Sequence, residues 1–414
     1  MQRIVKFIKY LDLSKFNISV ITAGQTGLAV SDSDLINDID KYVKIIRINH
    51  TPPHKWISIF RSDKDVNDRK NVFETSYFKR WLSSFLFLPD SRKGWIKEVK
   101  KYLNNHALDD GEKPDIIIGS MPPYSSGILA KILAEKFNCP YILDYRDGWI
   151  FHPFQIFPTF VHQLMHKSME KKVLSGAAGL VFANDSLHKR YRIAYPTISK
   201  NSITIYNGYD ESDFDTKEFQ RQENHRNILK IGLPGTIYFR ATRPLTLLRV
   251  LQDFKEKTDI YKFYILGKIT KNFWKKIQNP QLNHYFSHEN YLSHSMYLKR
   301  IRNMDANLLF LETDAANIQY VIPGRFYELF YSKIPLIIFG PENHELNELR
   351  KMHNLPFLYF HNTRDEVFRV MKNIKLIVND LNNKINVFDF SSIEDRFSRK
   401  KQACKFQNFI EQIL

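Results

Sequence analysis

Cysteine is scarce: Cys139 and Cys404 are the only two in 414 residues. They lie far apart and have no partners at metal-ligand spacing, so neither a disulfide framework nor a thiolate metal centre is expected, and a reducing, cytoplasmic setting follows. Long apolar runs are missing as well. No stretch of about 18 apolar residues occurs, which argues against a membrane-spanning helix. The start, Met1-Gln2-Arg3-Ile4-Val5-Lys6, is amphipathic and lacks the apolar core of a signal peptide. Low-complexity tracts and short-period repeats are also absent. Acidic charge is in deficit: 61 Lys+Arg against 44 Asp+Glu leave +17. Such an excess favours a polyanionic partner, whether nucleic acid, a phosphorylated ligand or an acidic membrane leaflet, or is plain solvated surface. No nucleic-acid-binding motif accompanies it.

The remaining composition is that of a folded protein, with 43% hydrophobic and 25% charged residues. The length suits two domains. Apolar runs of strand length alternate with amphipathic stretches of helix length. In the first half the strand candidates are 18–22, 43–48, 115–119, 141–144, 179–183 and 202–206, with helical patterns over Gly127–Phe137 and Val161–Leu174. The polar stretch 216–227 reads as a linker, after which the pattern restarts with candidates at 228–232, 262–267, 306–311 and 334–339. Alternation of this kind implies an α/β protein with two doubly wound, largely parallel sheets and ligands at the strand carboxyl ends. The expected domains are 1–220 and 221–392, with a terminal helix over 393–414 that packs back on the first domain.

Two segments carry candidate chemistry. In Ile205-Tyr206-Asn207-Gly208-Tyr209-Asp210-Glu211-Ser212-Asp213-Phe214 a strand runs into Asn-Gly, which predicts a sharp turn with positive φ. In Val321-Ile322-Pro323-Gly324-Arg325-Phe326-Tyr327-Glu328 a helix starts after Pro-Gly, with Arg325 and Glu328 in its first turn. Backbone N–H groups there, with Arg325, suit phosphate, and Glu328 suits sugar hydroxyls; an exposed Arg and a helix-paired Glu fit the same residues.

In order along the chain, these segments resemble the family-four glycosyltransferases of bacterial surface-polysaccharide synthesis, such as that of capsule or O-antigen. Similar to that family are Pro114 to Pro123, Leu143-Asp144-Tyr145-Arg146-Asp147-Gly148-Trp149, Asn207-Gly208-x-Asp210, and Pro323-Gly324-Arg325-x-x-Glu328 running on to Ser332-Lys333-x-Pro335-Leu336-Ile337. Leu88-Pro89-Asp90 with Gly94-Trp95, and Glu170 to Leu174, fit the same subgroup. The resemblance implies a GT-B fold, two Rossmann-like domains facing a cleft, and transfer of a sugar from a UDP- or GDP-type sugar nucleotide to a glycan or lipid-linked acceptor, with retention. It also implies that Glu328 meets the nucleotide ribose and Arg325 the diphosphate. Donor binding is assigned to Gly235, Thr236, Arg240, Arg243, Gly267, His294, Pro323, Gly324, Arg325 and Glu328, and acceptor binding to Ser120, Pro122, Pro123, Arg146, Asp147 and Trp149; Asp147, Arg325 and Glu328 are the catalytic candidates.

Tyr320 stands where many members carry a second Glu, and a His common near 144–149 in relatives is not found there. Asp32-Ser33-Asp34 satisfies the Asp-x-Asp spelling but lies in the acceptor half, far from the expected phosphates, so no metal or other cofactor is expected. Relatives begin with a strand ahead of the helix that opens this chain, so the first domain is expected to lack its first strand. A sugar-nucleotide epimerase or hydrolase, or a non-catalytic nucleotide-sugar-binding homologue, is an alternative on the same architecture. Peripheral attachment to an acidic membrane is expected through Lys6, Lys9, Lys79, Arg80, Lys93, Lys97, Lys100 and Lys101.

Overall fold

A computed structural model describes residues 2–24, 39, 43–50, 77–106, 113–197, 201–214, 228–235, 237, 244–254, 260–289, 292–311 and 317–414. The chain divides into two compact units, Met1–Asn207 with Lys400–Leu414, and Gly208–Arg399. The linker expected over 216–227 lies outside the described residues.

The first unit runs α1 (Gln2–Tyr10), β1 (Ser19–Ala23), β2 (Lys44–Ile48), α2 (Tyr77–Leu86), α3 (Lys93–Asn105), β3 (Ile117–Met121), α4 (Ser125–Phe137), β4 (Tyr141–Tyr145), α5 (Phe160–Leu174), β5 (Gly179–Phe182), α6 (Asp185–Ala194) and β6 (Ser202–Thr204). Its described strands are all parallel and form two sheets, β1-β2 and β3-β4-β5-β6. Successive side chains of a strand point to opposite faces. In β4, Ile142 therefore faces α1 and the C-terminal helix, while Leu143 and Tyr145 face the side carrying Leu174, Leu187 and Tyr191. Burial on both faces explains why such strands read as continuous apolar runs. Residues of β1, β2 and β3 share one cluster with Trp95, Val99 and Leu133 of α3 and α4. Here the Leu88-Pro89-Asp90 and Gly94-Trp95 segments are structural: Asp90 accepts from the Ser125 N–H and hydroxyl at 2.9 Å each, and the Trp95 indole donates to the Ile48 carbonyl at 3.1 Å.

The second unit runs β7 (Leu229–Pro234), α7 (Leu245–Asp253), β8 (Tyr261–Leu266), α8 (Lys271–Ile277), β9 (Phe286–Glu289), α9 (His294–Arg302), β10 (Ala306–Phe310), α10 (Arg325–Tyr331), β11 (Leu336–Gly340), α11 (His344–His353), β12 (Phe357–His361), α12 (Arg364–Lys372), α13 (Ile374–Val387) and α14 (Glu394–Phe397). Its sheet is parallel, in the order β12-β11-β10-β7-β8-β9. Strand order reverses between β7 and β10, and the carboxyl ends at such a reversal are where open α/β sheets hold ligands. The two strands not anticipated from sequence, β9 and β12, are the sheet's edges; β9 reads Phe286-Ser287-His288-Glu289, too polar to signal a strand, whereas the apolar run of β12 was passed over.

The last helix, α15 (Arg399–Glu411), belongs to the first unit from Lys400 onward. Its Phe406, Phe409 and Ile410 pack on Ile142, Val181 and Ile205.

Two expectations change. Asn207-Gly208 makes its turn without positive φ, since neither residue is among the positive-φ positions. Glycine is required at 208 for space: a Cβ would collide with the Phe397 carbonyl, and the Gly208 carbonyl accepts from Arg399 at 2.8 Å. Lys6, expected on a basic surface, is 2% exposed because α1 lies beneath the sheet.

Candidate functional site

In the second unit the strand-reversal point is built around Gly235, which follows β7 with φ +90. That conformation costs a residue with a Cβ about 1–2 kcal/mol, so glycine is the natural occupant. Its amide donates to the Leu266 carbonyl at 2.8 Å, which ties it to the end of β8 beside Gly267, also at positive φ. The Arg325 guanidinium lies against the bare Cα of Gly235, where a Cβ would collide with it, and donates to the Pro234 carbonyl at 3.0 Å. A cation is thereby fixed beside two backbone segments at strand carboxyl ends. Space around Gly324 is open, since a Cβ there would meet nothing within 4 Å.

One turn along α10, Glu328 is buried, and its carboxylate lies 2.9 Å from His294 Nε2. His294 opens α9, whose Ser293 caps it by accepting from the Met296 N–H. The other imidazole nitrogen is 3.9 Å from the Asp213 carboxylate. The acidic turn after Asn207-Gly208 thus reaches this site through Asp213, while Asp210 closes the turn by accepting from the Ser212 N–H and hydroxyl. Tyr297, one turn on from His294, has a buried hydroxyl with no hydrogen-bond partner. Burial, then the Glu328 carboxylate, push its ionisation well above the usual phenol range, so it stays a neutral donor. Tyr320 lies in the loop that Asn343 holds by donating to the Ile318 and Val321 carbonyls.

Of the donor residues expected from sequence, Gly235, Gly267, His294, Pro323, Gly324, Arg325 and Glu328 converge here. Thr236, Arg240 and Arg243 lie outside the described residues, as does Asp32-Ser33-Asp34. Sequence reasoning missed Asp213 and Tyr297 as site residues. Asp213 stood in the quoted turn motif, whereas nothing local distinguished Tyr297 from another helix aromatic.

In the first unit the ends of β3 and β4 carry a separate network. Asp144 is fully buried and pairs with Arg3 of α1 at 2.9 Å, while Ser120 donates to it at 2.9 Å. Arg3 also reaches the Asn207 side chain at 3.3 Å. The carboxylate's partner is therefore a distant Arg and not the adjacent Arg146, which instead donates to the Met121 and Pro122 carbonyls. Ser120, Pro122 and Arg146 are thus brought together, but the Ser120 hydroxyl and the Arg146 guanidinium already serve the scaffold.

Trp149 corrects the sequence expectation. Expected to touch an acceptor, it is 0% exposed. Its indole donates to His166 at 2.9 Å, its amide donates to the Tyr191 hydroxyl at 2.8 Å, and its ring stacks on Tyr124. Its large apolar area is spent in the core, and it acts by fixing the loop that bears Asp147. Glu170 completes this support by accepting from Tyr191 and Tyr195; burial raises its pKa to about 7. Burial lowers the His166 pKa to about 4, which keeps its ring a neutral acceptor for the indole.

Asp147 is half-buried and makes no hydrogen bond or ion pair among the described residues. Its charge is felt by His152, whose proton affinity burial lowers while the Asp147 carboxylate opposes that effect. His152 lies five residues after Asp147, and its Nδ1 accepts from the Phe154 N–H at 3.1 Å. A sequence window centred on the aspartates stops short of it.

No protein-family model matches the chain, and no curated protein matches it in sequence. Solved structures do match in fold. HepE from Anabaena, in complex with UDP and glucose, aligns with TM-score 0.62 at 9% identity over 99% of this chain and 95% of its own. A sucrose-phosphate synthase from Thermosynechococcus elongatus gives 0.61 at 10% identity over 99% and 92%. A putative UDP-N-acetylglucosamine 2-epimerase from Listeria monocytogenes gives 0.56 at 10% identity over 99% and 92%. With two parallel α/β units and matches along nearly its whole length, the chain has the GT-B fold.

Proposed function

We propose that this protein is a glycosyltransferase that moves a sugar from a nucleoside-diphosphate sugar of the UDP or GDP type to a hydroxyl of a glycan or lipid-linked glycan. The observation that carries the reading is the pairing of Arg325 with the Cβ-less Gly235 beside the buried Glu328–His294 couple, at the strand reversal of the second unit. A guanidinium held against bare backbone offers charge-assisted hydrogen bonds to a diphosphate and stabilises it as it departs. The cation at this point is Arg325 itself, so the reading calls on no metal. Glu328, oriented by His294, accepts from ribose hydroxyls, and Asp147 is the acceptor-side carboxylate. Retention, and a place in capsule or O-antigen synthesis at the inner face of the cell membrane, follow from the motif resemblance. No helix among the described residues is long and apolar enough to cross a membrane.

A similar protein crystallised with UDP favours a uridine donor. The test is a thermal-shift panel of nucleotide sugars. A donor at about a hundred times its dissociation constant adds about 2.7 kcal/mol of stability, which for a unit of this size is a rise of several degrees. Glu328→Gln and Arg325→Ala should cut the shift to about half or less. Absence of any shift across the panel refutes the reading. Release of free nucleotide from the donor alone, undiminished by acceptor glycans, would move the chain to the epimerase or hydrolase class.

A further inference from the structure

We propose that α2 and α5 of the first unit together form a face that docks on anionic lipid bilayers. This specifies the contact surface for the membrane location proposed above, and it is argued without the donor site. Seven of the seventeen large hydrophobic side chains that stand exposed among the described residues lie on these two helices. Phe78 and Phe160 are 67% and 70% exposed, and Phe85, Val161, Leu164 and Met165 also project into solvent. The others are scattered along the chain. The two helices are joined at this face: the Phe85 ring lies 4.9 Å from that of His162, whose Nε2 is 3.2 Å from the Phe85 carbonyl. Phe78, Trp81 and Phe85 stack along α2 with centroids 6.3 and 5.4 Å apart, which makes the ridge stiff.

A grouped apolar surface on a soluble fold marks a contact site. The charge around it identifies the contact. The apolar first turns of α5 are followed on the same exposed side by Lys167, Lys171 and Lys172. The only acid on α5, Glu170, is fully buried, and α2 contains none. Neither helix therefore presents a carboxylate to solvent. Aromatic and aliphatic side chains that enter the acyl boundary, bordered by lysines at headgroup level, are the pattern of an interfacial surface, each cation adding attraction to anionic lipid. A second copy of this chain fits poorly, because a two-fold contact through this face would bring the lysine clusters of both copies together.

The experiment is co-sedimentation of the full chain with phosphatidylcholine vesicles with and without phosphatidylglycerol, at low and high salt. Binding should require the anionic lipid and weaken with salt. The double substitution Phe78→Glu/Phe160→Glu should lower partitioning at least about tenfold. Because both side chains are exposed, its melting temperature and its response to sugar nucleotides should match those of the parent chain. Val387→Glu, at an 86% exposed position on α13, should bind as the parent chain does. Failure of the parent chain to bind phosphatidylglycerol vesicles, or unchanged binding by the double variant, overturns the proposal. So does a parent dimer that the double variant dissolves without any vesicle binding. If vesicle binding fails while the nucleotide shift persists, this inference falls and the proposed activity stands.

Discussion

Gly235→Ala tests the proposed donor site most directly, because the structure gives two separable costs. The first is backbone: a Cβ at φ +90 costs about 1–2 kcal/mol regardless of neighbours. The second is displacement of Arg325, whose guanidinium occupies the space the Cβ needs. Moving it breaks the bond to the Pro234 carbonyl, and hydrogen bonds to charged groups are worth about 1.5–3 kcal/mol. For a unit of this size each kcal/mol lowers the melting temperature by roughly 2–4 °C, so a drop of several degrees is expected. If Arg325 holds the diphosphate, its displacement also removes a charge-assisted bond to the ligand, about 1.5–3 kcal/mol or roughly 10- to 150-fold in affinity. The assay is calorimetric titration, with the nucleotide that gives the largest thermal shift, into the parent chain, Gly235→Ala, Arg325→Ala and the double variant. The glycine acts through the arginine, so the double variant should match Arg325→Ala within about 0.5 kcal/mol. Additive losses, or Gly235→Ala with undiminished affinity, would refute the reasoning.

Two further outcomes follow from buried groups. Tyr297→Phe removes a hydroxyl that has no protein partner, so stability should hold or rise by up to about 1 kcal/mol while nucleotide affinity falls about fivefold; a loss of stability would mean the hydroxyl serves the scaffold. Glu170 carries a folded-state pKa raised from 4.5 to about 7, so its stabilising contribution is complete below the unfolded value and is lost as pH rises through the folded one. That shift corresponds to about 3 kcal/mol. Glu170→Gln should therefore gain about that much on the parent chain between about pH 5 and pH 8, read from urea-unfolding midpoints; a pH-independent difference would count against it.

Part of the candidate site was legible because its logic is local. Pro323-Gly324-Arg325 and Glu328 declare a helix start with a cation and an acid one turn apart, and Gly235 closes a strand at a loop. The pairings were not legible. Arg3 meets Asp144 across a separation of 141 positions, and Gly235 meets Arg325 across one of 90. Trp149 was expected at the acceptor, but whether an aromatic is spent in the core or offered to a ligand depends on what packs around it, and here Tyr124, His166 and Tyr191 do. Likewise Gly208 suggested a φ requirement, whereas the constraint is the Phe397 carbonyl brought in by the returning chain.

The sequence by itself determined the α/β class and the parallel pairing of its strands, because period-two and continuous apolar runs set which segments become strands and how their faces are covered; that the described strands of the first unit fall into two sheets, β1-β2 and β3-β4-β5-β6, was not legible. It also determined the residue types available at the candidate site. Only the tertiary structure decided strand order, and with it the reversal point where Gly235, Arg325 and Glu328 converge. It likewise decided which cations are buried, such as Arg3 and Lys6, and which apolar side chains of α2 and α5 remain in solvent. Such outcomes depend on contacts between residues remote in the chain, whose geometry no local propensity encodes.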